Sequence, residues 1–341
     1  MKAEKLQVGK LPLEFLQSLL ARYGGSDERL VVGPQLGEDA AVVDMGDRYL
    51  VAKSDPITFA SDEIGWYVVH VNANDVATTG AVPRWLLLTL LLPEARTDRP
   101  LVESIFAQVS QACRELGVVL CGGHTEVTYG LDRPLAVGLM LGEVSKEDLV
   151  CTAGSQAGDA IILTKGIAIE GTAVLARELG EQVAPQLGAE LVARSRRFLR
   201  SPGISIVQDA RILCRVARPH AMHDPTEGGL ATGLWELAWA ADKRLVIDRA
   251  RIHVFPETAA FCRELSLDPL GLIASGALLA TAAAEDSAPM VAALRRAGVQ
   301  AAVIGRVEAG PAEVQVETEE GRLPLPTFER DELARLFGPR V

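Results

Sequence analysis

The stretch NDVATTGA at residues 74–81 decides the fold of the first half of the chain, because it closes a long helix in front of a buried strand. Apolar side chains recur at helical spacing ahead of it, which predicts a helix over 61–79 that stops at Gly80. Asn72, Asp75 and Thr79 share one polar stripe near the end of this helix. The helix dipole disfavours Asp75 there by up to about 1 kcal/mol, so the pattern predicts a compensating cation.

Two further aspartates flank a predicted hairpin upstream of this helix. The segments 40–43 and 49–53 favour strands and are separated by the turn-rich sequence DMGDR. Asp39 precedes the first strand and Asp55 follows the second, so pairing brings both to the end opposite the turn. Gathered with Asp75, such carboxylates stay ionised together only beside a cation, and Mg²⁺ prefers oxygen ligands of this kind. The structural alternative is that Asp39 and Asp55 are ordinary turn and strand-end residues.

The remaining elements predict an α/β fold of two domains. An apolar run at 85–92 indicates a buried strand, followed by a helix over 101–116 and strands at 118–121 and 135–142. After small, polar residues at 153–159, predicted strands at 160–164, 277–281 and 301–307 alternate with helices at 172–179, 226–240 and 287–297. We therefore place the domains at 1–153 and 154–341.

Two segments of the second half have features of a ligand site. TKGIAIEGT at 164–172 leads from a strand through glycines into a helix, where free N–H groups and Lys165 favour an anion; an ordinary connection is the alternative. HDPTEGGL at 223–230 enters another helix. Asp224 suits the N-cap there and Glu227 completes a capping box, which is a purely structural account. The paired glycines favour instead the close approach of a ligand.

Composition excludes several classes of protein. The chain has 341 residues and a formal net charge of −11, which opposes binding to nucleic acid or anionic membranes. Its longest apolar runs are far shorter than the ~20 residues of a membrane span, and no secretory signal is recognisable, so we expect a cytoplasmic protein. The five cysteines are scattered and are expected to be buried, reduced thiols, and neither they nor His124, His220 and His223 have zinc-site spacing.

Taken in order, these motifs resemble the AIR synthase superfamily, and within it the HypE branch of hydrogenase-maturation factors. The resemblance spans nearly the whole chain and rests on GKLP at 9–12, GEDAA at 37–41, NDVATTGA, HDPTEGGL, and DPL at 268–270 leading to SG at 275–276. It implies an N-terminal domain whose strands form a barrel across a homodimer and a C-terminal α/β layer domain. It also implies ATP with Mg²⁺ in the cleft near the dimer interface.

The resemblance also assigns residues. It implies that Asp39, Asp55 and Asp75 coordinate metal, and that Asp75, Lys165 and Asp224 are catalytic, with Lys165 facing phosphate. It implies nucleotide binding by Gly37, Asp39, Asn74, Gly123, Gly166 and Glu227.

Three departures from these relatives bear on function. The sequence has no cysteine after Cys262, whereas the HypE branch dehydrates a thiocarbamate on its own C-terminal cysteine. His124 stands where much of the superfamily has a metal-binding aspartate, with Glu126 as a substitute acid, and Glu227 stands where the branch usually has arginine.

We therefore expect an ATP- and Mg²⁺-dependent enzyme that activates an oxygen of a small amide or carboxylate-type substrate by phosphoryl transfer, as a homodimer. One alternative is a kinase similar to thiamine-monophosphate kinase. The other is a non-catalytic nucleotide-binding scaffold with a maturation-protein partner.

Overall fold

The computed structural model describes Leu6 and residues 11–34, 38–58 and 62–337. Gly37, which the sequence analysis assigned to nucleotide binding, lies outside the described residues. In the part of the chain that is described, no helix is both long and apolar enough to cross a membrane.

The first half forms a six-stranded sheet covered by helices. Its strands, in the spatial order β1-β2-β3-β6-β4-β5, are antiparallel except for the parallel pair β4 and β5. The elements are α1 (Leu13–Tyr23), β1 (Leu30–Val32), β2 (Ala41–Asp44), β3 (Tyr49–Ile57), α2 (Ile64–Thr78), β4 (Val82–Pro93), α3 (Arg99–Leu116), β5 (Val119–Thr128) and β6 (Leu135–Val144).

The second half forms a seven-stranded sheet in the order β13-β12-β9-β11-β7-β10-β8, again antiparallel except for one pair, β9 and β12. The strands are β7 (Ala160–Thr164), β8 (Ala221–His223), β9 (Arg244–Ile247), β10 (Leu279–Ala282), β11 (Ala301–Glu308), β12 (Glu313–Thr318) and β13 (Gly321–Pro324). The helices are α4 (Ile169–Glu178), α5 (Gly180–Leu187), α6 (Ala189–Arg196), α7 (Val207–Val216), α8 (Gly229–Ala241), α9 (Pro256–Leu265), α10 (Ala284–Arg296) and α11 (Glu332–Phe337).

Helix α2 joins the two halves. Almost every residue of α2 is buried, between the first sheet and α3 on one side and α7 on the other. Asn74 fastens it to the second half, because its side chain donates to the carbonyl of Ile204 at 2.8 Å and accepts from the N–H of Ile206 at 2.9 Å. One hydrophobic cluster runs from Val68 through this contact to Ile204 and Leu278. The predicted α/β architecture is confirmed, while the boundary between residues 153 and 154 stays a prediction.

Several local predictions were wrong in ways that bear on the site. Strand β3 continues to Ile57, so Asp55 lies inside it, opposite Gly138 of β6, rather than after its end. The strand predicted at 118–121 continues through the glycine-rich segment 122–126, because β5 extends to Thr128. Pairing with the long strand β4 outweighs the turn tendency of the two glycines there.

Helix α8 also begins later than predicted. It starts at Gly229, with Gly228 in the N-cap position, so Asp224 is not its N-cap. Both glycines have positive φ, and a Cβ on Gly229 would come within 2.4 Å of the carbonyl of Leu270. The tight turn that these glycines allow separates Asp224 from the helix.

The cysteines are free thiols, as expected, but only Cys113 and Cys262 are buried. Cys121 is exposed on β5, contrary to prediction.

Candidate functional site

Three aspartates that are far apart in sequence converge where the two halves of the chain meet. One carboxylate oxygen from each of Asp39, Asp75 and Asp224 lies within 4.8 Å of those of the other two. Asp39 immediately precedes the hairpin, Asp75 lies in the last turns of α2, and Asp224 follows β8. The cluster therefore forms only when both sheets are folded and α2 is packed between them.

Asp75 and Asp224 are buried, and among the described residues the Oδ2 atom of Asp75 has the Lys53 ammonium as its partner, at 3.1 Å. Asp75 is 3% exposed and Asp224 is 2% exposed. Neither oxygen of Asp224 has a hydrogen-bond donor among the described residues. A buried ionised carboxylate without a partner costs several kcal/mol, so the oxygens of Asp224 are suited to bind a cation.

The electrostatics of the cluster agree with this geometry. Burial, and then repulsion from Asp39, raises the pKa of Asp224 to about 7. Burial also raises the pKa of Asp75 well above its usual value, and the neighbouring carboxylates add to the shift against the attraction of Lys53. A divalent cation would reverse this balance, because it stabilises the ionised form of every carboxylate that it contacts.

Asp39 is held by a histidine that is itself held by a glutamate. His223 places Nδ1 3.0 Å from Asp39 Oδ2 and Nε2 2.9 Å from Glu236 Oε2, so both ring nitrogens donate to carboxylates. Burial alone would lower the pKa of His223, but the two carboxylates outweigh it and raise that pKa well above its ordinary value. Burial would likewise raise the pKa of Asp39, yet the imidazolium lowers it. Asp39 is therefore ionised and fixed in orientation.

A lysine completes the charged groups. Lys53 Nζ lies 3.1 Å from Asp75 Oδ2 and 3.5 Å from Asp55 Oδ2. Burial opposes its charge, but Asp75, Asp55 and Asp39 together raise its pKa. Asp55, one of the predicted metal ligands, contacts the lysine and is not one of the three clustered carboxylates; its role as a ligand stays a prediction.

The donor set fits Mg²⁺. It consists of carboxylate oxygens, which suit hard cations with ligand distances of about 2.0–2.1 Å, and a small contraction of the cluster would bring all three to one ion. Among the described residues Asp224 has no hydrogen-bond donor, so metal binding would break none of its hydrogen bonds, whereas Asp75 would exchange its contact with Lys53 for the metal.

Lys165, predicted to face phosphate, is engaged within the second half. Its ammonium lies 2.8 Å from Asp209 Oδ2 and donates to the carbonyls of Ser205 at 2.7 Å and Gly276 at 2.9 Å. The side chain is 9% exposed. These contacts explain its place in the fold, and a role toward phosphate stays a prediction.

The other predicted nucleotide-binding residues lie in varied surroundings. A Cβ at Gly123 would come within 1.9 Å of the carbonyl of Leu88, and one at Gly166 within 2.7 Å of the ring of Phe255, so packing requires both glycines. The side-chain nitrogen and the side-chain oxygen of Asn74 both form hydrogen bonds that join the two halves. Glu227 is exposed at the turn before α8. Their nucleotide contacts stay predictions.

Three charged groups of the site were not predicted from the sequence: His223, Lys53 and Glu236. His223 was weighed only as a zinc ligand, although its position beside Asp224 was a usable signal. Lys53 lies two residues before Asp55 in a strand, a spacing that places both side chains on one face. Glu236 lies in the middle of α8, and nothing around it in the sequence indicates its contact with His223.

This fold and this site define the class of protein: the chain belongs to the AIR synthase related family. The N-terminal domain of the family matches residues 37–144, and its C-terminal domain matches residues 156–317. Within the family the chain is similar to the carbamoyl dehydratase HypE of Cupriavidus necator, with 32% identity over 274 residues that cover 78% of this chain and 74% of the relative. The resemblance inferred from the motifs is thereby confirmed.

Two other relatives show how the family divides. A hydrogenase expression/formation protein of Methanocaldococcus jannaschii is 28% identical over 298 residues, which cover 85% of each chain. The thiamine-monophosphate kinase of Pyrococcus horikoshii is 27% identical over 303 residues, covering 85% of this chain and 89% of the kinase.

Solved structures agree with this placement. The crystal structure of the hydrogenase maturation protein HypE in complex with ATP superposes with a TM-score of 0.72 at 26% identity, covering 94% of this chain and 99% of that one. A thiamine-monophosphate kinase from Aquifex aeolicus has the same fold, with a TM-score of 0.70 at 20% identity, covering 89% of this chain and 96% of the kinase.

Proposed function

We propose that this protein is an ATP- and Mg²⁺-dependent enzyme that activates an oxygen of a small amide or carboxylate-type substrate by phosphoryl transfer. The observation that carries the proposal is the convergence of Asp39, Asp75 and Asp224. Three converging carboxylates, of which Asp224 has no hydrogen-bond donor among the described residues, are suited to hold a divalent ion against phosphate groups. The ATP-bound HypE structure, which shares the fold over most of both chains, supports the nucleotide.

The residues of the cluster would divide the work. Asp75 and Asp224 would hold the metal from opposite halves of the molecule, while Asp39 approaches it in the orientation that His223 imposes. Bound Mg²⁺ would neutralise phosphate charge. Phosphorylation then converts a poor oxygen leaving group of the substrate into a good one. Because the carboxylates come from both halves, any movement of one half relative to the other changes the metal site.

We place this activity in hydrogenase or metallocofactor maturation, because the relative from Methanocaldococcus jannaschii is named a hydrogenase expression/formation protein and the ATP-bound structure with the same fold is that of a hydrogenase maturation protein. A maturation protein as a partner follows from the same reasoning.

Isothermal titration calorimetry with ATP and Mg²⁺ tests the proposal. We expect binding by the wild-type protein and at least about a tenfold loss in Asp75→Asn, which corresponds to about 1.4 kcal/mol for one charged ligand. The control is Asp44→Asn, because Asp44 is an aspartate at the end of β2 that pairs with Lys146 outside the cluster. Absent binding, or equal binding by wild type and Asp75→Asn, would overturn the proposed site.

The second candidate is a small-molecule kinase. It is favoured by the similarity to the thiamine-monophosphate kinase of Pyrococcus horikoshii across 85% of this chain. Mass spectrometry of products from a panel of phosphate acceptors separates the two activities, because a kinase leaves a stable phosphorylated product whereas oxygen activation releases inorganic phosphate. ATP binding without turnover, together with capture of a maturation protein, would favour the scaffold alternative.

We also propose that the protein is a homodimer formed through β5. This strand lies at the edge of the first sheet, and nearly all of its residues are exposed. Val119 and Val127 on the strand and Tyr129 just after it are large exposed side chains. Long exposed edge strands favour pairing with another strand, and a second copy of the chain offers one by symmetry.

A further inference from the structure

Lys53 is a charged group of the carboxylate site to which the family resemblance assigns no role. It lies in the middle of β3, and its ammonium reaches Asp75, one of the three clustered carboxylates, at 3.1 Å. The same ammonium lies 3.5 Å from Asp55. Lys53 therefore contacts a carboxylate that a bound metal would also need.

The charges around Lys53 explain this position. Asp39, Asp55, Asp75 and Asp224 all act electrostatically within one small volume. His223 neutralises Asp39 and is held in place by Glu236, so it cannot turn toward Asp75. Of the described cationic side chains, Lys53 is the one paired with Asp75.

We propose that Lys53 is the internal counter-ion of the cluster and that a divalent cation displaces it from Asp75, so that its ammonium then binds the nucleotide phosphates. The proposal rests on the proposed function, because it needs the metal and nucleotide to share this site. It adds a phosphate-binding residue and predicts that metal and lysine compete.

The first half of the proposal follows from Coulomb's law. Two positive centres beside one buried carboxylate repel each other, so a divalent ion on Asp75 weakens the contact with Lys53. If the ammonium occupies the cluster about nine-tenths of the time, the apparent metal affinity is about tenfold weaker than the intrinsic one.

The second half follows from burial. The side chain of Lys53 is only 21% exposed, so the displaced ammonium still requires an anionic partner. Asp55 is one partner, but it is 37% exposed and lies at the longer distance of 3.5 Å. Phosphate oxygens beside the bound metal would supply more negative charge at the same place.

The alternative is that Lys53 is a structural cross-link between β3 and α2. A cross-link stabilises the fold, and its removal would weaken metal binding by loosening Asp75. Competition makes the opposite prediction, which allows a metal titration to separate the two.

The experiment compares the wild-type protein with Lys53→Met, using Mn²⁺ as the probe. Free Mn²⁺ is measured by electron paramagnetic resonance without nucleotide, and ATP binding is then measured by calorimetry at saturating Mg²⁺. We expect Mn²⁺ to bind Lys53→Met about tenfold more tightly. ATP should bind it about tenfold more weakly, as expected for a lost charged contact.

Lys146→Met is the matched control. Lys146 Nζ lies 2.6 Å from Asp44 Oδ2, in a lysine–aspartate pair outside the cluster. The substitution removes the same charge as Lys53→Met, so the affinities for Mn²⁺ and for ATP should stay at the wild-type values. Lys53→Gln is the second variant if Lys53→Met does not fold, with the same expected shifts.

The outcomes are distinct. If the wild-type protein does not bind Mn²⁺, the proposed metal site fails, and this inference fails with it. If the wild type binds Mn²⁺ but the Lys53 variants bind it equally or more weakly, the counter-ion role alone is overturned. If Mn²⁺ binding tightens while ATP binding is unchanged, the phosphate contact is overturned.

Discussion

Replacing Asp224 by asparagine should stabilise the metal-free protein while weakening metal binding. Asn is close to Asp in size and shape but carries no charge. In the metal-free protein the carboxylate of Asp224 is buried beside Asp39 and Asp75, and neither of its oxygens has a hydrogen-bond donor in the described part of the chain. The charge therefore opposes folding until a cation neutralises it.

The magnitude follows from the pKa. Burial and then Asp39 raise the pKa of Asp224 to about 7 from 3.8, a difference of about 3 units or about 4 kcal/mol. Because the folded-state pKa is raised, this cost is absent below about pH 3.8 and complete above about pH 7. The buried amide of Asn loses part of the gain by desolvation, which leaves about 2 kcal/mol of stabilisation at pH 8.

Chemical denaturation with EDTA at pH 8 and at pH 4 measures the first effect, and Mn²⁺ titration measures the second. We expect the gain in free energy of unfolding at pH 8 but not at pH 4, and about a tenfold or greater loss of Mn²⁺ affinity.

Asp209→Asn is the matched control, because Asp209 is an equally buried aspartate that is paired with Lys165. Its loss leaves a buried lysine without its counter-ion, so it should destabilise by about 3–5 kcal/mol. The reasoning would be refuted if Asp224→Asn were destabilised at pH 8 in EDTA, or if it bound Mn²⁺ as tightly as the wild type.

Three further outcomes are expected. His70 is buried, and neither ring nitrogen has a hydrogen-bond partner within the residues that the structure describes; burial lowers its pKa to about 3 from 6.5, so its neutral form contributes stability that is lost as the pH falls below about 6.5. His70→Phe should therefore lose less stability than the wild type between pH 7 and pH 5, by about 2 kcal/mol in denaturation experiments, and identical losses would contradict the assigned pKa. Glu236→Gln removes the charge that orients His223, and Mn²⁺ titration should show about a tenfold weaker affinity because the orientation of Asp39 loosens, whereas an unchanged affinity would argue against this positioning. If two copies pair through β5, Val127→Lys brings like charges together at the interface, so light scattering should show a shift toward monomer. A dimer of wild-type stability would exclude pairing through this strand.

The fold was largely predictable because hydrophobic periodicity is a local signal. The hairpin formed by β2 and β3, the helix that carries Asp75 and the strands β7, β10 and β11 of the second half follow from it, whereas β8, β9, β12 and β13 were not predicted. Boundaries were less accurate where tertiary pairing extends an element, as in β5, where Gly123 allows close contact with Leu88 of β4.

The sequence by itself determined that Asp39, Asp75 and Asp224 are unusual, because each lies at the start or end of an element or beside glycine. It also determined the family, through motifs that keep their order along the chain. Only the tertiary structure decided which carboxylates meet. Asp224 replaced Asp55 in the cluster of three, because β3 continues past Asp55 and the turn before α8 leaves Asp224 facing the end of α2.

The counter-charges also required the tertiary structure. Lys53 and Glu236 lie within regular elements, where their sequence context is that of ordinary surface residues. They belong to the site because a charge that is buried between the two halves is costly unless an opposite charge lies beside it. Which charges come together depends on distance in space and not along the chain, so the packing of α2 between the two sheets determines it.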